Sequence, residues 1–250
     1  MKIWLSLCFY FSFSVFVHAQ NSFVDFQKNS VRVANAFKLK EDTLRKQVEK
    51  IGLKWPLQQM YIRSFKYDSK LEVWARNHSK ESFKLLKTYK VCALSGALGP
   101  KRMEGDYQVP EGFYTINEFK SKSTYHLALG LNYPNSADVL LSDSEKPGGE
   151  IYIHGSCITV GCIPVENEQI EELYILAAHT KNNGQDFIPV HIFPIKFDVI
   201  KSMEYFNKVT KDDTEYKLFT AKLKEVFDYF ELHKKLPIIS INKNGEYIIL

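Results

Sequence analysis

The feature that most constrains this fold is a change of hydrophobic period near residue 59. From there the segments "MYIRSF", "KLEVWAR" and "FKLLKTYKV" alternate apolar and polar residues, and only short polar breaks separate them. Alternation at a period of two is typical of β-strands with one buried face, and short breaks join antiparallel neighbours. The sequence therefore predicts an antiparallel meander at the start of the main domain.

Helical patterns lie on both sides of this β-rich region. One runs from Ser30 to Ile51 and another from Asp213 to Lys235, where a hairpin around Asn244-Gly245 follows. Between them the pattern predicts strands at "FYTI", "YHLALGL", "EIYIHG" and "PVHIFPI", and a helix from Asn167 to His179. The two prolines of the last strand favour a sheet edge.

These elements predict an α+β fold, mainly β, with helices added at both ends. The predicted organisation is a signal peptide (1–19), an N-terminal helical segment (20–54), a core domain (55–197) and a C-terminal helical extension with a hairpin (198–250). Two long stretches of the core domain, 93–112 and 132–149, lack any periodicity. Loops of this length are uncommon in compact domains unless they are functional or mobile.

The signal peptide is predicted from the first residues. Met1-Lys2 precedes an almost uncharged apolar run, Ile3 to Val17, and the small-residue pattern that ends at Ala19 suits cleavage there. The alternative, a membrane anchor, needs roughly 20 apolar residues, more than this run supplies. We therefore expect an exported, periplasmic protein with no membrane span after cleavage.

Charge and cysteine content narrow the partners and the chemistry. The formal net charge of +4 is spread along 250 residues with no nucleic-acid-binding signature, so nucleic acid is not an expected partner. After Ala19 the chain holds Cys92, Cys157 and Cys162. Three is an odd number, so at least one thiol is free or pairs between molecules, and a Cys92–Cys157 disulfide remains open.

The segment "IYIHGSCITVGCIPV" carries the candidate chemistry. His154 precedes Cys162 by eight positions, and the two residues lie beside Gly155 and Gly161. A thiol nucleophile needs a base and donors for the oxyanion. If the chain loops back after His154, its ring meets the Cys162 sulfur, and the N–H groups of Val160, Gly161 and Cys162 form an oxyanion hole. A thiol activated in this way should react with iodoacetamide well below pH 8.

Three other interpretations of the segment remain open. Zinc could take His154, Cys157 and Cys162, with His179 or His191 as a fourth ligand. A Cys157–Cys162 disulfide would block the nucleophile, and a buried structural thiol is a common fate of cysteine. The glycines, the histidine and the long loop upstream favour the nucleophile, so no metal or other cofactor is predicted.

These residues resemble the catalytic motif of the L,D-transpeptidase catalytic domain (YkuD) family, in its YafK-like murein L,D-transpeptidase branch. Thr159, Gly161 and Cys162 match the family motif, whereas Val160 replaces its second histidine, a departure typical of the branch. The blocks "CALSGALGPKRMEGDYQVPEGFYTI" and "YHLALGLNYPNSAD" are also similar, so the resemblance covers roughly residues 55 to 235.

The resemblance implies a β-sandwich catalytic core and a peptidoglycan-modifying cysteine acyltransferase. Cys162 would form a thioester with a stem peptide, His154 would act as base and then as acid, and the Gly155 carbonyl would orient the His154 ring. The acceptor would be another stem peptide, a lysine of a lipoprotein, or water, and water would make the protein an amidase. A competing class is a catalytically silent cell-wall-binding module, against which the presence of both His154 and Cys162 argues.

Residues outside the motif are candidates for substrate binding. Lys101 and Arg102 lie in the irregular loop and could bind substrate carboxylates. Glu111 could meet a substrate amine, although a role in holding the loop is favoured. His126 is expected to be a hydrogen-bonded core histidine without a catalytic role.

Overall fold

The computed structural model describes residues 22–250, so the predicted signal peptide lies outside the described residues. No helix within this range is long and apolar enough to cross a membrane. The helices of the described chain are α1 (Phe23–Lys28), α2 (Val31–Lys50), α3 (Ser136–Leu141), α4 (Asn167–Asn182), α5 (Ile200–Val209) and α6 (Thr214–His233). Its strands are β1 (Gln59–Phe65), β2 (Lys70–Arg76), β3 (Lys84–Lys90), β4 (Gly112–Ser123), β5 (His126–Leu131), β6 (Tyr152–His154), β7 (Ile163–Pro164), β8 (Ile188–Phe193), β9 (Ile239–Ile241) and β10 (Tyr247–Ile249).

Eight of these strands form one curled sheet in the order β3-β2-β1-β8-β4-β5-β6-β7. The predicted meander is confirmed by the antiparallel pairs β1–β2 and β2–β3. The pairs β1–β8 and β6–β7 are parallel, while β9 and β10 form the predicted hairpin. The predicted α+β class is confirmed, with the strands of its core in a single continuous sheet.

The placement of β8 differs from the prediction. Its two prolines suggested an edge, yet the strand lies between β1 and β4 near the middle of the sheet. Pro189 stands at the start of the strand, before the pairing with β1 begins at Val190, and Pro194 follows its end. Neither proline lies in the part of β8 that pairs with both β1 and β4, so no N–H is missing there and the sheet tolerates both prolines.

Helices pack on both faces of the sheet, and the side chains of β1 show which helices lie on which face. Met60 and Ile62 pack in the core shared with α2 and α4, whereas Tyr61 and Phe65 pack against residues of α6. Successive side chains of a strand point to opposite faces, so both faces of β1 are buried. The second buried face exists because helices from both ends of the chain return to the sheet.

The α6 side of the sheet contains a buried charge cluster. The Arg63 guanidinium, 1% exposed, lies 2.7 Å from a carboxylate oxygen of Glu72 and 2.7 Å from one of Glu231 on α6. Phe227 and Phe230 of α6 place their rings 5.3 and 4.7 Å from the same guanidinium. Removing one partner of such a buried pair costs about 3–5 kcal/mol, so the cluster fixes α6 on the sheet.

Candidate active site

Two short parallel strands at the edge of the sheet present the predicted nucleophile and base. The register pairs Ile153 with Ile163 and His154 with Pro164. Cys162 directly precedes β7. Side chains alternate between faces along a strand, and the same alternation continued one residue back from Ile163 puts position 162 on the face of His154. The residues between the two strands, 155–162, therefore form a tight loop that brings β7 beside β6.

The His154 ring is held at one edge by its own neighbour. Its Nδ1 lies 2.6 Å from the backbone carbonyl oxygen of Gly155, and the residue is 2% exposed. A carbonyl only accepts, so Nδ1 carries the proton and Nε2 presents a lone pair. Burial lowers the pKa of His154 below its usual value, and the Gly155 carbonyl partly offsets this shift. The ring is therefore a neutral base at neutral pH.

Gly155 and the loop after it are fixed by the start of α4. A Cβ at Gly155 would lie 2.6 Å from Asn167 Oδ1 and 2.9 Å from the Cβ of His126, so no other residue fits there. Ser156 adopts a φ of 66° and donates its N–H to the same Asn167 oxygen at 3.0 Å. Asn167 thus anchors the turn that follows the histidine.

Cys162 is the free cysteine of the described chain and is half-buried. Its Sγ lies 3.6 Å from the carbonyl oxygen of Glu150, and no hydrogen bond joins it to His154 within residues 22–250. Burial raises the pKa of the Cys162 thiol; the Tyr152 N–H and the Lys101 charge oppose the shift, and the Glu150 charge adds to it. The thiol is therefore protonated at neutral pH, so its reaction with iodoacetamide well below pH 8 stays a prediction that requires a base to take the proton.

The loop between the strands is closed by Thr159. Its Oγ1 donates to the carbonyl of Cys162 at 2.8 Å and accepts the N–H of Gly161 at 3.1 Å. The Gly161 N–H is therefore occupied, which corrects its place in the predicted oxyanion hole. The N–H groups of Val160 and Cys162 have no hydrogen-bond acceptor in the described part of the chain. Gly161 itself has a φ of 145°, and a Cβ there would lie 3.0 Å from the Gln108 carbonyl oxygen.

A disulfide joins Cys92, just after β3, to Cys157 in this loop. The pairing left open by the sequence is therefore present, and the alternative Cys157–Cys162 disulfide is wrong. With Cys157 oxidised, the zinc interpretation also fails. The two candidate fourth ligands are engaged elsewhere, because His179 contacts Glu41 at 2.7 Å and His191 contacts the Tyr61 hydroxyl at 2.9 Å.

The same disulfide removes a second candidate metal group. The sulfurs of Cys92 and Cys157 lie near Glu166 in an arrangement of ligand atoms close enough for an ion. Disulfide sulfurs are not thiolates, the form of cysteine that binds metals. The cluster as it stands does not offer a metal ligand set.

Cys162 opens into a cleft of about 210 Å³ between the irregular loop and the strand start. Lys101 lines the cleft and is 4% exposed; its ammonium donates to Asp106 Oδ1 at 2.6 Å and to the Met103 carbonyl at 2.8 Å. The loop thus brings one buried cation to the cleft beside Cys162. The residues that line it are Lys101, Glu104, Gly105, Tyr107, Gly148, Gly149, Glu150, Ile151, Val160, Gly161 and Cys162.

The other two predicted substrate-binding residues point elsewhere. Arg102 places its guanidinium 3.7 Å from an Asp138 oxygen of α3 and over the Phe219 ring of α6. Glu111 is fully buried, and its carboxylate accepts from Lys66 at 2.9 Å, the Gly99 N–H at 2.8 Å and the hydroxyl of Tyr216 on α6 at 2.8 Å. Neither lines the cleft, so both hold the irregular loop on the domain.

Sequence patterns missed two residues around His154 and Cys162. Asn167 reads as an ordinary helix start, and Tyr125 lies in a turn between two strands. The Tyr125 ring centroid is 4.8 Å from that of His154, with 30° between the planes. The next residue, His126, is hydrogen-bonded as expected, to Glu171 at 2.7 Å, but it is half-buried and does not belong to the core. The sequence pattern does not show that a residue in a turn will contact a histidine elsewhere in the chain.

Comparison with known proteins identifies the family. The model of the L,D-transpeptidase catalytic domain (YkuD) matches residues 68–192, half of the chain, and this range includes His154 and Cys162. The chain belongs to the L,D-transpeptidase catalytic domain family. YafK of Escherichia coli K12, a candidate L,D-transpeptidase, is 33% identical over 192 residues, which cover 76% of this chain and 73% of that protein. YafK of Escherichia coli O157:H7 matches equally.

Solved structures of two further proteins are similar to this member of the L,D-transpeptidase family. The helical cell shape determining protein Pgp2 from Campylobacter jejuni gives a TM-score of 0.42 at 19% identity over 80% of both chains. Bd1075 from Bdellovibrio bacteriovorus gives a TM-score of 0.41 at 19% identity over 76% of this chain and 79% of that one.

Membership of the family settles the broad activity. The predicted family, the relationship to YafK and the enzyme class of an L,D-transpeptidase are confirmed. The L,D-transpeptidase domain also implies peptidoglycan as the substrate.

Proposed function

We propose that this protein is an exported cysteine acyltransferase that acts on peptidoglycan stem peptides through a thioester on Cys162. The observation that supports it most is the pairing of β6 with β7. It places the free thiol on the same face as His154, whose Nδ1 is fixed on the Gly155 carbonyl at 2.6 Å. A neutral imidazole with a free Nε2 is the form that can accept a thiol proton.

In the first step Cys162 attacks a peptide carbonyl of the stem. His154 Nε2 takes the thiol proton as the S–C bond forms, because both groups are neutral at rest. The N–H groups of Val160 and Cys162 donate to the oxyanion. When the intermediate collapses, the C–N bond breaks, His154 returns the proton to the leaving amine, and the thioester remains.

In the second step an acceptor attacks the thioester. An amine of another stem peptide gives a crosslink, a lysine of a lipoprotein gives an anchored protein, and water gives hydrolysis. His154 takes the acceptor's proton and returns it to the Cys162 sulfur as the S–C bond breaks, so the resting thiol is restored. All three outcomes use the same acyl-enzyme, and only the acceptor distinguishes them.

Lys101 is the residue best placed to bind a substrate carboxylate. An ammonium has three N–H donors, and Asp106 and the Met103 carbonyl take two of them. The third donor has no partner among the described residues, and Lys101 lines the cleft beside Cys162. Buried charge-assisted hydrogen bonds are strong, which suits recognition of one carboxylate at a fixed distance from the nucleophile.

The predicted signal peptide and the Cys92–Cys157 disulfide together support export to the periplasm. Structural disulfides form and persist in oxidising compartments and are rare in the cytosol. The pairing leaves Cys162 as the reduced cysteine of the described chain. Export therefore accounts for the bridge, and the odd number of cysteines accounts for the free thiol.

The test is incubation of the mature protein with peptidoglycan and defined tetrapeptide muropeptides, with protein and products measured by mass spectrometry. Cys162→Ala and His154→Ala should abolish product, and His78→Ala, an exposed histidine in the β2–β3 loop, should not. New crosslinked dimers establish a transpeptidase, and shortened or released peptides establish a hydrolase. Equal product from Cys162→Ala, or no acyl adduct and no product from any protein, overturns the proposal.

A further inference from the structure

The β4–β5 turn covers the His154 ring from one side. Tyr125 lies in this turn, and its ring contacts the imidazole in a tilted arrangement with 4.8 Å between centroids and 30° between the planes. The hydroxyl of Tyr125 has no hydrogen-bond partner within residues 22–250, and the residue is 43% exposed. The contribution of Tyr125 to the site is therefore its ring and not its hydroxyl.

A ring contact matters because the single side-chain hydrogen bond of His154 does not fix the orientation of the imidazole plane. The terminal torsion of histidine joins an sp³ and an sp² carbon, and such torsions have broad minima. The Gly155 carbonyl fixes Nδ1 but allows the plane to tilt around that bond. A flat neighbour on one face restricts the tilt, and with it the direction of the Nε2 lone pair.

The turn is held in place by the N-terminal helix α2. Arg32, in its first turn, donates to the carbonyl of Ser123 at 2.9 Å and also to the carbonyl of His126. Ser30, the N-cap of α2, donates to the Ser121 carbonyl at 3.3 Å. These bonds join the helix to the residues on both sides of Tyr125.

The other side of the turn is tied to α2 through α4. His126 has a φ of 69°, a conformation that costs a residue with a side chain roughly 1 kcal/mol or more. Its Nε2 lies 2.7 Å from Glu171 of α4, and Lys40 of α2 lies 3.4 Å from the same carboxylate. The strained residue is thus held by contacts from outside the turn.

We propose that Tyr125 is a positioning residue for His154, held over the imidazole by α2 through the Arg32 contacts. This inference rests on the proposed function, because it assigns His154 the role of base. It gives the N-terminal helix α2 a function in catalysis, since α2 holds Tyr125 against the base as well as packing on the domain.

The test is steady-state kinetics of Tyr125→Ala, Tyr125→Phe and Arg32→Ala with a defined muropeptide. Tyr125→Ala should lower kcat by about 10- to 100-fold with little change in KM, because the base is misaligned. Tyr125→Phe should restore kcat, since it keeps the ring. Arg32→Ala should lower kcat in the same direction by about 3- to 10-fold, the worth of one or two exposed hydrogen bonds.

Matched controls separate positioning from loss of structure. Thr124→Ala, an exposed residue of the same turn, and Arg45→Ala, an exposed arginine of the same helix paired with Asp42, should leave kcat unchanged. The ring of Tyr125 should also shift the proton resonances of His154 by its ring current. That NMR shift should be lost in Tyr125→Ala and kept in Tyr125→Phe.

The outcomes distinguish this inference from the proposed function. If Cys162→Ala abolishes product but Tyr125→Ala keeps kcat, only the positioning role fails. A rise in KM with constant kcat would also overturn it, because Tyr125 would then be a substrate contact. If Cys162→Ala retains full activity, the proposed function itself fails, whatever Tyr125 does.

Discussion

The Cys92–Cys157 disulfide should supply a large share of the stability of this domain. The bridge spans a sequence separation of 65 residues, for which the chain-entropy model gives about 4 kcal/mol at 25 °C. We therefore expect a Cys92→Ala/Cys157→Ala variant to lose about 4 kcal/mol of unfolding free energy. For a chain of this size the loss corresponds to a fall in Tm of roughly 8 to 16 °C.

Urea unfolding followed by circular dichroism measures this loss. Every protein compared carries Cys162→Ala, so that no free thiol can exchange with the bridge, and Cys162→Ala alone is the reference. Alkylation of the unfolded mature protein with native Cys162 counts its thiols, with one expected before reduction and three after. A loss below about 1 kcal/mol, or three thiols before reduction, would refute the reasoning.

Four further predictions concern Gly155, Cys162, His154 and the buried carboxylate of Asp138. Gly155→Ala should lower kcat by about 100-fold, because the added Cβ would lie 2.6 Å from Asn167 Oδ1. Steady-state kinetics with a muropeptide measure this fall in kcat. Because the pKa of the Cys162 thiol is raised from 9.0, its alkylation by iodoacetamide should accelerate as pH rises above 9.0. Because the pKa of His154 is lowered from 6.5, kcat/KM should stay constant as pH falls to 6.5 and should decrease only at lower pH. A plateau of the alkylation rate below pH 8 would contradict the prediction for Cys162. A loss of kcat/KM already at pH 7 would contradict the prediction for His154. Burial raises the pKa of Asp138 from 3.8 to about 6, so the folded state binds more protons and stability falls as pH rises between these values. Asp138→Asn should remove that slope and stabilise the protein at pH 8 by up to roughly 3 kcal/mol, as urea unfolding at pH 4 and pH 8 would show.

Local patterns predicted the elements well because each has its own period. The meander of β1 to β3, the long helices α2, α4 and α6 and the closing hairpin all follow from spacing and turn residues. The short helix α3 was missed inside a predicted loop. Its capping box, in which Asn135 and Asp138 bond each other's backbone, stabilises six residues that are too few to show a period.

The contacts between distant segments could not be predicted from the sequence. The odd cysteine count showed that one thiol is free but not which pair is bonded. The central place of β8 depends on pairing with β1, more than a hundred residues earlier. The positions of His154 and Cys162 followed from the motif, whereas the contact of Tyr125 with His154 depends on how three strands come together.

The bonds of Glu111 show that the family match and the folding unit have different limits. The match ends at residue 192, yet Tyr216 of α6 donates to the buried Glu111 carboxylate at the base of the irregular loop. An expression fragment cut at the match would lose that donor, at a cost of about 1–3 kcal/mol. It would also open the sheet face that Phe227 and Phe230 now cover. A minimal active fragment therefore has to extend through α6, about 40 residues beyond the region that defines the family.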